Sequence, residues 1–127
     1  MKNMIKVATY VFASFFCASS FAGTTHNFAT GVAMEADLHP NEPEVFNNFL
    51  LWKVKGSCEV ISDAAENPIS FHMITNKGTL NGVEFAPGES LFLVAQPGQR
   101  FELSAEPRAK VEVLNLGAQL IKIKCSS

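Results

Sequence analysis

The sequence predicts an all-β protein, an antiparallel β-sandwich of about seven to eight short strands held by one disulfide. From residue 49 onward, apolar and polar residues alternate in short runs, which is the pattern of half-buried strands. Turn-forming glycine, proline and asparagine interrupt these runs about every ten residues, as in sandwiches and barrels. No window of helical length carries an apolar stripe at helical spacing. Among such architectures, an immunoglobulin-like sandwich fits these features.

The first predicted elements lie before residue 49. An edge strand is expected over residues 28–34, and an acidic loop interrupted by two prolines is expected over residues 35–44. Proline cannot donate to a strand ladder, so Pro40 and Pro43 exclude a central strand there. The acidic start of residues 43–51 is compatible with a single helical turn. Residues 23–48 are therefore assigned to an N-terminal edge strand and loop that precede the sandwich domain, residues 49–127.

The main strands are predicted within that domain. Asn81-Gly82 predicts a two-residue type I′ hairpin, because both residue types tolerate a positive φ. Pro87-Gly88 and Pro97-Gly98 mark the next two turns. In chain order, the predicted strands cover residues 49–62, 69–75, 83–85, 91–95, 100–105, 110–114 and 120–125. The first of these is one long strand or two strands joined at Gly56.

The first 22 residues have the pattern of a secretory signal peptide. Lys2 and Lys6 precede an apolar run over residues 7–16, and Ser20 and Ala22 are small residues at positions −3 and −1 of a cleavage site. The apolar run is shorter than the roughly 20 residues that a permanent membrane span needs. We therefore expect no membrane span, cleavage after Ala22, and a periplasmic or secreted protein.

Cleavage at that position changes the charge and the cysteine content. The whole chain has 10 basic and 12 acidic residues, and loss of the signal peptide removes two lysines, which leaves a net charge of −4. An acidic chain without a basic block argues against nucleic acid as the partner. Cys17 also leaves, and the remaining pair, Cys58 and Cys125, both at core-facing positions, predicts one disulfide in an oxidising compartment.

No catalytic or metal-binding motif is present, so we expect a protein that is not an enzyme and has no cofactor. The alternative is a small metal-binding protein or hydrolase with its site in the acidic loop, where carboxylates suited to Ca²⁺ are concentrated. These carboxylates belong to Glu35, Asp37, Glu42 and Glu44. Cleavage after Gly23 instead of Ala22 would also place His26 third in the chain, where it can chelate Cu(II).

The best candidate for a functional site is an apolar surface that includes Phe46, Phe49 and Leu51. Strict alternation cannot bury this dense apolar stretch on one face, and exposed apolar patches mark contact surfaces. The acidic loop beside it would supply a charged rim around aromatic anchors. Ile74 and Phe92 are expected to extend the surface. The predicted function is binding of a protein or another envelope or host macromolecule; the alternative is that these side chains form a second layer of core.

Two stretches resemble a known group of exported proteins. They are residues 41–49 (NEPEVFNNF) and residues 109–117 (AKVEVLNLG), which accompany Cys58, the Pro-Gly turns and the final Cys125. Over most of residues 33–127, the chain resembles the small exported "enhanced entry" proteins of type B from intracellular gram-negative bacteria. The resemblance implies a periplasmic or secreted role in infection of host cells. It assigns no site residues.

Overall fold

A computed structural model describes residues 25–27 and 33–126 of the chain. The predicted signal peptide, both cleavage sites and residues 28–32 of the predicted edge strand lie outside this part. Eleven strands and no helix occur in the described residues. The strands are β1 (Thr25–Asn27), β2 (Met34–Leu38), β3 (Glu44–Asn47), β4 (Val54–Ile61), β5 (Asn67–Thr75), β6 (Gly78–Leu80), β7 (Val83–Phe85), β8 (Ser90–Ala95), β9 (Arg100–Ala105), β10 (Lys110–Asn115) and β11 (Ile121–Ser126).

The strands form two sheets whose inner faces share one hydrophobic core. The five-stranded sheet has the order β1-β3-β10-β5-β8, and the six-stranded sheet has the order β2-β11-β4-β9-β6-β7. Neighbouring strands are antiparallel except β1 and β3, which are parallel. Phe71 of β5 meets Phe101 of β9 across the core, edge to face, with ring centroids 5.4 Å apart. The predicted all-β sandwich is confirmed, with eleven described strands where about seven to eight were expected.

Alternation of side chains explains why these segments are strands. In β4, Val54, Cys58 and Val60 are buried, while the lysine between the first two lies on the outer face. In β11, Ile121, Ile123 and Cys125 are buried, and the two lysines that alternate with them point outward. Each buried aliphatic side chain stabilises the fold by roughly 1.5–3 kcal/mol, so a strand that turns this set inward is strongly favoured over one that exposes it.

The predicted Asn-Gly hairpin is confirmed. Asn81 and Gly82 both have positive φ values, 50° and 83°, as a type I′ turn requires. The turn pairs Leu80 with Val83 and joins β6 to β7.

Half of the segment predicted as an acidic loop is strand, which corrects the sequence analysis. β2 pairs with β11, and β3 lies between β1 and β10. Ala36 and Leu38 are buried, whereas Glu35 and Asp37 point outward, so the charges occupy one face and leave the strand intact. The loop is limited to residues 39–43, which contain both prolines, and β3 takes the place of the expected helical turn. The sequence analysis placed the start of the sandwich at residue 49, but the sandwich already includes β2 and β3, which precede that residue.

Cys58 and Cys125 form the predicted disulfide. They are directly opposite on the neighbouring strands β4 and β11, and both are buried. The bond thus lies within one sheet, whereas the antibody-domain disulfide joins two sheets. A disulfide fits an oxidising compartment such as the periplasm or the cell exterior. The described residues contain no helix long and apolar enough to cross a membrane.

Candidate functional site: an anchored apolar loop

The connection between β3 and β4 carries three large exposed apolar side chains. Phe49, Leu51 and Trp52 are 52%, 71% and 56% exposed, and we call residues 49–52 the apolar loop. Leu50, between them, packs against the core. Single exposed apolar residues are common, but a contiguous group of this kind is typical of a contact surface.

Asn48 fixes the apolar loop to the rest of the sandwich. Its side chain is buried, and its Nδ2 donates to the backbone oxygens of Trp52, Ala105 and Glu106 at 2.9, 3.0 and 3.1 Å. Its Oδ1 accepts a hydrogen bond from the backbone N of Leu50 at 3.0 Å. A fully bonded buried amide holds its surroundings in one geometry. The apolar side chains are therefore presented by an ordered loop, which lowers the entropy lost when a partner binds.

The sequence contains a signal for this anchor that the sequence analysis missed. Glu44, Phe46 and Asn48 follow each other at the spacing of one strand face, and all three are buried. A polar amide at an inward position must find hydrogen-bond partners. Asn48 is the last residue of this inward series, and the next residue, Phe49, is already exposed, so the apolar loop begins directly after the anchor.

Phe46 does not belong to the partner surface, which corrects its predicted role. It is 4% exposed on the inner face of β3, and its ring stacks on His26 with centroids 5.0 Å apart. Its burial makes it a core residue. Phe49 and Leu51 are exposed, as the predicted surface requires, and their role in binding stays a prediction. Ile74 and Phe92 are also exposed, but they lie on strands of the five-stranded sheet.

The loops that meet the apolar loop are rich in basic residues. The turn after β9 is bonded to the loop after β5, since Asn76 Nδ2 donates to the Pro107 oxygen at 2.7 Å and the Glu106 N donates to the Lys77 oxygen at 3.0 Å. Exposed cations stand on these loops and on the adjacent strand end: Lys53, Lys77, Arg108 and Lys110. Glu106 lies 3.8 Å from Lys53 and Glu84 lies 3.2 Å from Lys77, so the local charge is mixed, with four basic side chains against these two carboxylates.

The acidic rim that the sequence analysis placed beside the apolar surface lies elsewhere. Glu35 and its outward neighbour Asp37 stand on β2, at the edge of the six-stranded sheet. Glu35 contacts Lys122 and Lys124 of β11 at 3.8 and 3.9 Å. The chain returns toward the apolar loop only through β3, whose single carboxylate, Glu44, is buried.

The carboxylates of residues 35–44 do not converge on one point. Glu44 lies on the inner face of the five-stranded sheet, with its Oε1 2.8 Å from Nε2 of His26, whereas Glu35 belongs to the six-stranded sheet. In the part of the chain that the structure describes, no group of three or more His, Cys, Asp or Glu side chains is placed to hold a metal ion. A groove of about 380 Å³ beside the disulfide is lined by Glu59 and Arg100, which contact each other at 3.8 Å. No arrangement among these residues favours the metal-binding or hydrolase alternative.

Arg108 occupies a backbone position that usually belongs to glycine. Three turns, over residues 86–89, 96–99 and 106–109, share the same closing hydrogen bond from the last N to the first oxygen, at 2.9, 3.0 and 3.0 Å. Their third residues are Gly88, Gly98 and Arg108, with φ values of 88°, 84° and 66°. The left-handed region costs a residue with a side chain about 1 kcal/mol.

The backbone beside Arg108 adjoins the base of the apolar loop. A costly backbone conformation is often found where the side chain has a functional role. Arg108 is exposed, and the next residue is bonded to the base of the apolar loop, since the Asn48 N donates to the Ala109 oxygen at 2.9 Å. The guanidinium group is therefore a candidate contact for whatever the apolar loop binds.

Comparisons with known proteins place this chain in no family. No protein-family model matches it, and neither the search of curated proteins nor the search of solved structures found a match. The resemblance of residues 33–127 to the "enhanced entry" proteins accordingly stays a prediction.

Proposed function

We propose that this protein is an exported, non-enzymatic β-sandwich that binds another protein through the apolar loop and Arg108. The observation that carries the proposal is the display of Phe49, Leu51 and Trp52 on a loop fixed by a buried amide. Protein interfaces use a few large side chains as anchors, and tryptophan and arginine are among the most frequent. A well-ordered loop on a rigid sheet scaffold is a common place for recognition.

The charges around the loop indicate the chemistry of the partner. Glu106 and Glu84 lie beside Lys53 and Lys77, and the further cations Arg108 and Lys110 leave an excess of positive charge on these loops. In the whole chain, acidic residues outnumber basic ones. Complementary charges speed association and favour one orientation. The proposed partner therefore presents an apolar pocket bordered by acidic groups, and its association slows as salt concentration rises.

The proposed place of action is the periplasm or the cell exterior. The buried disulfide supports an oxidising compartment, and the pattern of the first 22 residues supports export. The resemblance to the "enhanced entry" proteins supports a further proposal, that the binding contributes to infection of host cells.

Affinity capture with the mature protein, from bacterial envelope and host-cell extracts, tests the proposed function. We expect the double variant Phe49→Ser, Leu51→Ser to lose at least about tenfold in affinity for the captured protein, because two anchors of more than 1 kcal/mol each are removed. The matched control is Leu116→Ser, Leu120→Ser. These leucines are each 44% exposed in the loop between β10 and β11, at the opposite end of the sandwich.

The control variant should capture the partner as the original protein does, and both variants should keep their melting temperature within a few degrees. Equal capture by the Phe49 and Leu51 variant would contradict the proposed site. Equal loss in both double variants would also contradict it, since this would indicate general apolar adhesion instead of a specific surface.

A further inference from the structure

The two sheets have four edge strands, and three of them carry features that discourage pairing with another chain. β1 and β7 are each three residues long, and β2 carries outward carboxylates at Glu35 and Asp37. Short length and charge are the usual protections of a sheet edge. The fourth edge, β8 (Ser90–Ala95), is six residues long and contains neither a charged residue nor a proline. Among the described residues, β8 pairs only with β5.

The turn into β8 fixes which of its residues are bonded to β5. The Met73 N donates to the Glu89 oxygen at 3.0 Å, and the Gly88 N donates to the Met73 oxygen at 2.9 Å. This is a bulge in which Met73 and Glu89 form a hydrogen-bonded pair. Bonded and non-bonded pairs alternate along an antiparallel ladder. Leu91 and Leu93 therefore direct their backbone groups toward β5.

The residues that alternate with Leu91 and Leu93 direct their backbone groups to the open edge of the sheet. Phe92 and Val94 lie opposite Ser70 and Pro68 of β5 as non-bonded pairs, so their N–H and C=O groups point away from the sheet. Their side chains are 71% and 59% exposed on the outer face of the sheet. Unpaired backbone groups beside exposed apolar side chains form a template for another strand.

We propose that β8 pairs antiparallel with β8 of a second copy of this chain, about a two-fold axis that passes beside Phe92. This pairing places Phe92 opposite Phe92 of the second copy, Ser90 opposite Val94, and Leu91 opposite Leu93. Outward side chains then meet outward ones and inward meet inward, as a shared sheet requires. The five-stranded sheets of two copies join into one continuous sheet.

The composition of β8 is the reason for assigning a second copy as its occupant. A two-fold axis places the residue at the axis opposite its own copy and sets every other residue of the strand opposite a residue of the same strand, and like charges that face each other across a ladder are destabilising. β8 has no charge, so self-pairing brings none together. The bonded pair at the axis, Phe92 with itself, adds contact between two large side chains, which is among the stronger cross-strand pairs. Pairing along five residues of each strand, 90–94, buries less than the roughly 1,600 Å² of a standard interface, so we expect a dimer that dissociates on dilution.

Analytical ultracentrifugation of the mature protein, from low micromolar to millimolar concentration, tests the proposal. We expect reversible dimerisation in the original protein. Phe92→Lys places two ammonium groups directly opposite each other at the axis and should raise the dimer dissociation constant at least about tenfold. The control is Ile74→Lys on the same outer face, which is 43% exposed on β5 and away from the edge. It should dimerise as the original protein does, and all three proteins should melt at similar temperatures.

A single introduced cysteine tests the register. Cys58 and Cys125 are bonded to each other, so Phe92→Cys offers a free thiol at the axis. Facing residues of a bonded pair have Cα atoms about 5.5 Å apart, a separation that a disulfide can bridge. We expect Phe92→Cys to form a covalent dimer on mild oxidation and Ile74→Cys to form no covalent dimer, although it should still dimerise reversibly. A monomer at millimolar concentration, or dimerisation unchanged by Phe92→Lys, would overturn the proposal. A third outcome would also overturn it: a monomer in which the β8 amides are protected from hydrogen exchange only after an unrelated extended peptide is added. The edge would then bind a strand of another protein.

Discussion

Replacing Phe46 by serine should lower the free energy of unfolding by about 3–5 kcal/mol, the range for removal of a buried aromatic ring. The ring lies in the core on the inner face of β3 and stacks on His26. The substitution also leaves a hydroxyl in apolar surroundings, which adds to the loss unless it finds a hydrogen-bond partner. Urea unfolding followed by fluorescence or circular dichroism measures the change.

Phe49→Ser is the matched control for this experiment, three residues along the same chain. Its ring is 52% exposed, so we expect a loss of less than about 1 kcal/mol. Losses of several kcal/mol in both variants would show that the apolar loop is a second layer of core. A Phe46 variant as stable as the original protein would contradict the burial of the inner face of β3.

Replacing both Cys58 and Cys125 by serine should lower the free energy of unfolding by about 4 kcal/mol. The bond closes a loop between residues 67 apart, and its loss frees the unfolded chain from that constraint. Because both sulfurs are buried, the two hydroxyls that replace them add a smaller desolvation cost.

The original protein unfolded in the presence of a reductant provides the comparison. Its reduced form should unfold at a midpoint slightly above that of the double serine variant, because both lack the cross-link but only the variant buries two hydroxyls. Two free thiols in protein purified without a reductant, or a double variant as stable as the oxidised protein, would contradict the pairing.

Much of the sandwich follows from local sequence because its strands are separated by strong turn residues. Asn81-Gly82 specifies a hairpin by its φ values alone, and the turns at Gly88 and Gly98 are set in the same way. In the strands β4 and β11, the long alternation of apolar and polar residues allows only one face to point inward. For these elements, local preference and core burial agree.

The prediction failed before residue 49 because charge and proline obscured a short alternation. Ala36 and Leu38 mark the inner face of β2, but only two small or aliphatic residues carry that signal among carboxylates. In β3 the inward series begins with Glu44, whose burial depends on contact with His26, 18 residues away in the chain. Long-range contacts of this kind cannot be read from a local pattern.

The candidate site was partly visible in the sequence. Exposure of Phe49 and Leu51 followed from the excess of apolar residues over available core positions, whereas the anchor Asn48 required the register of β3. Arg108 could have been found by aligning Pro107-Arg108 with the two preceding Pro-Gly turns. The unprotected edge at β8 depends on the order of strands in the sheet, which long-range pairing decides.

Replacing Arg108 by glycine tests most directly whether Arg108 and the apolar loop form a binding surface. Relief of the positive φ of 66° should leave the free energy of unfolding unchanged or raise it by up to about 1 kcal/mol, since glycine adopts that conformation freely but loses more entropy on folding. Titration calorimetry with the captured partner should show an affinity at least about tenfold lower, because the guanidinium contact is lost. An unchanged affinity, or a marked loss of stability, would contradict the assignment of Arg108 and the apolar loop to a binding surface.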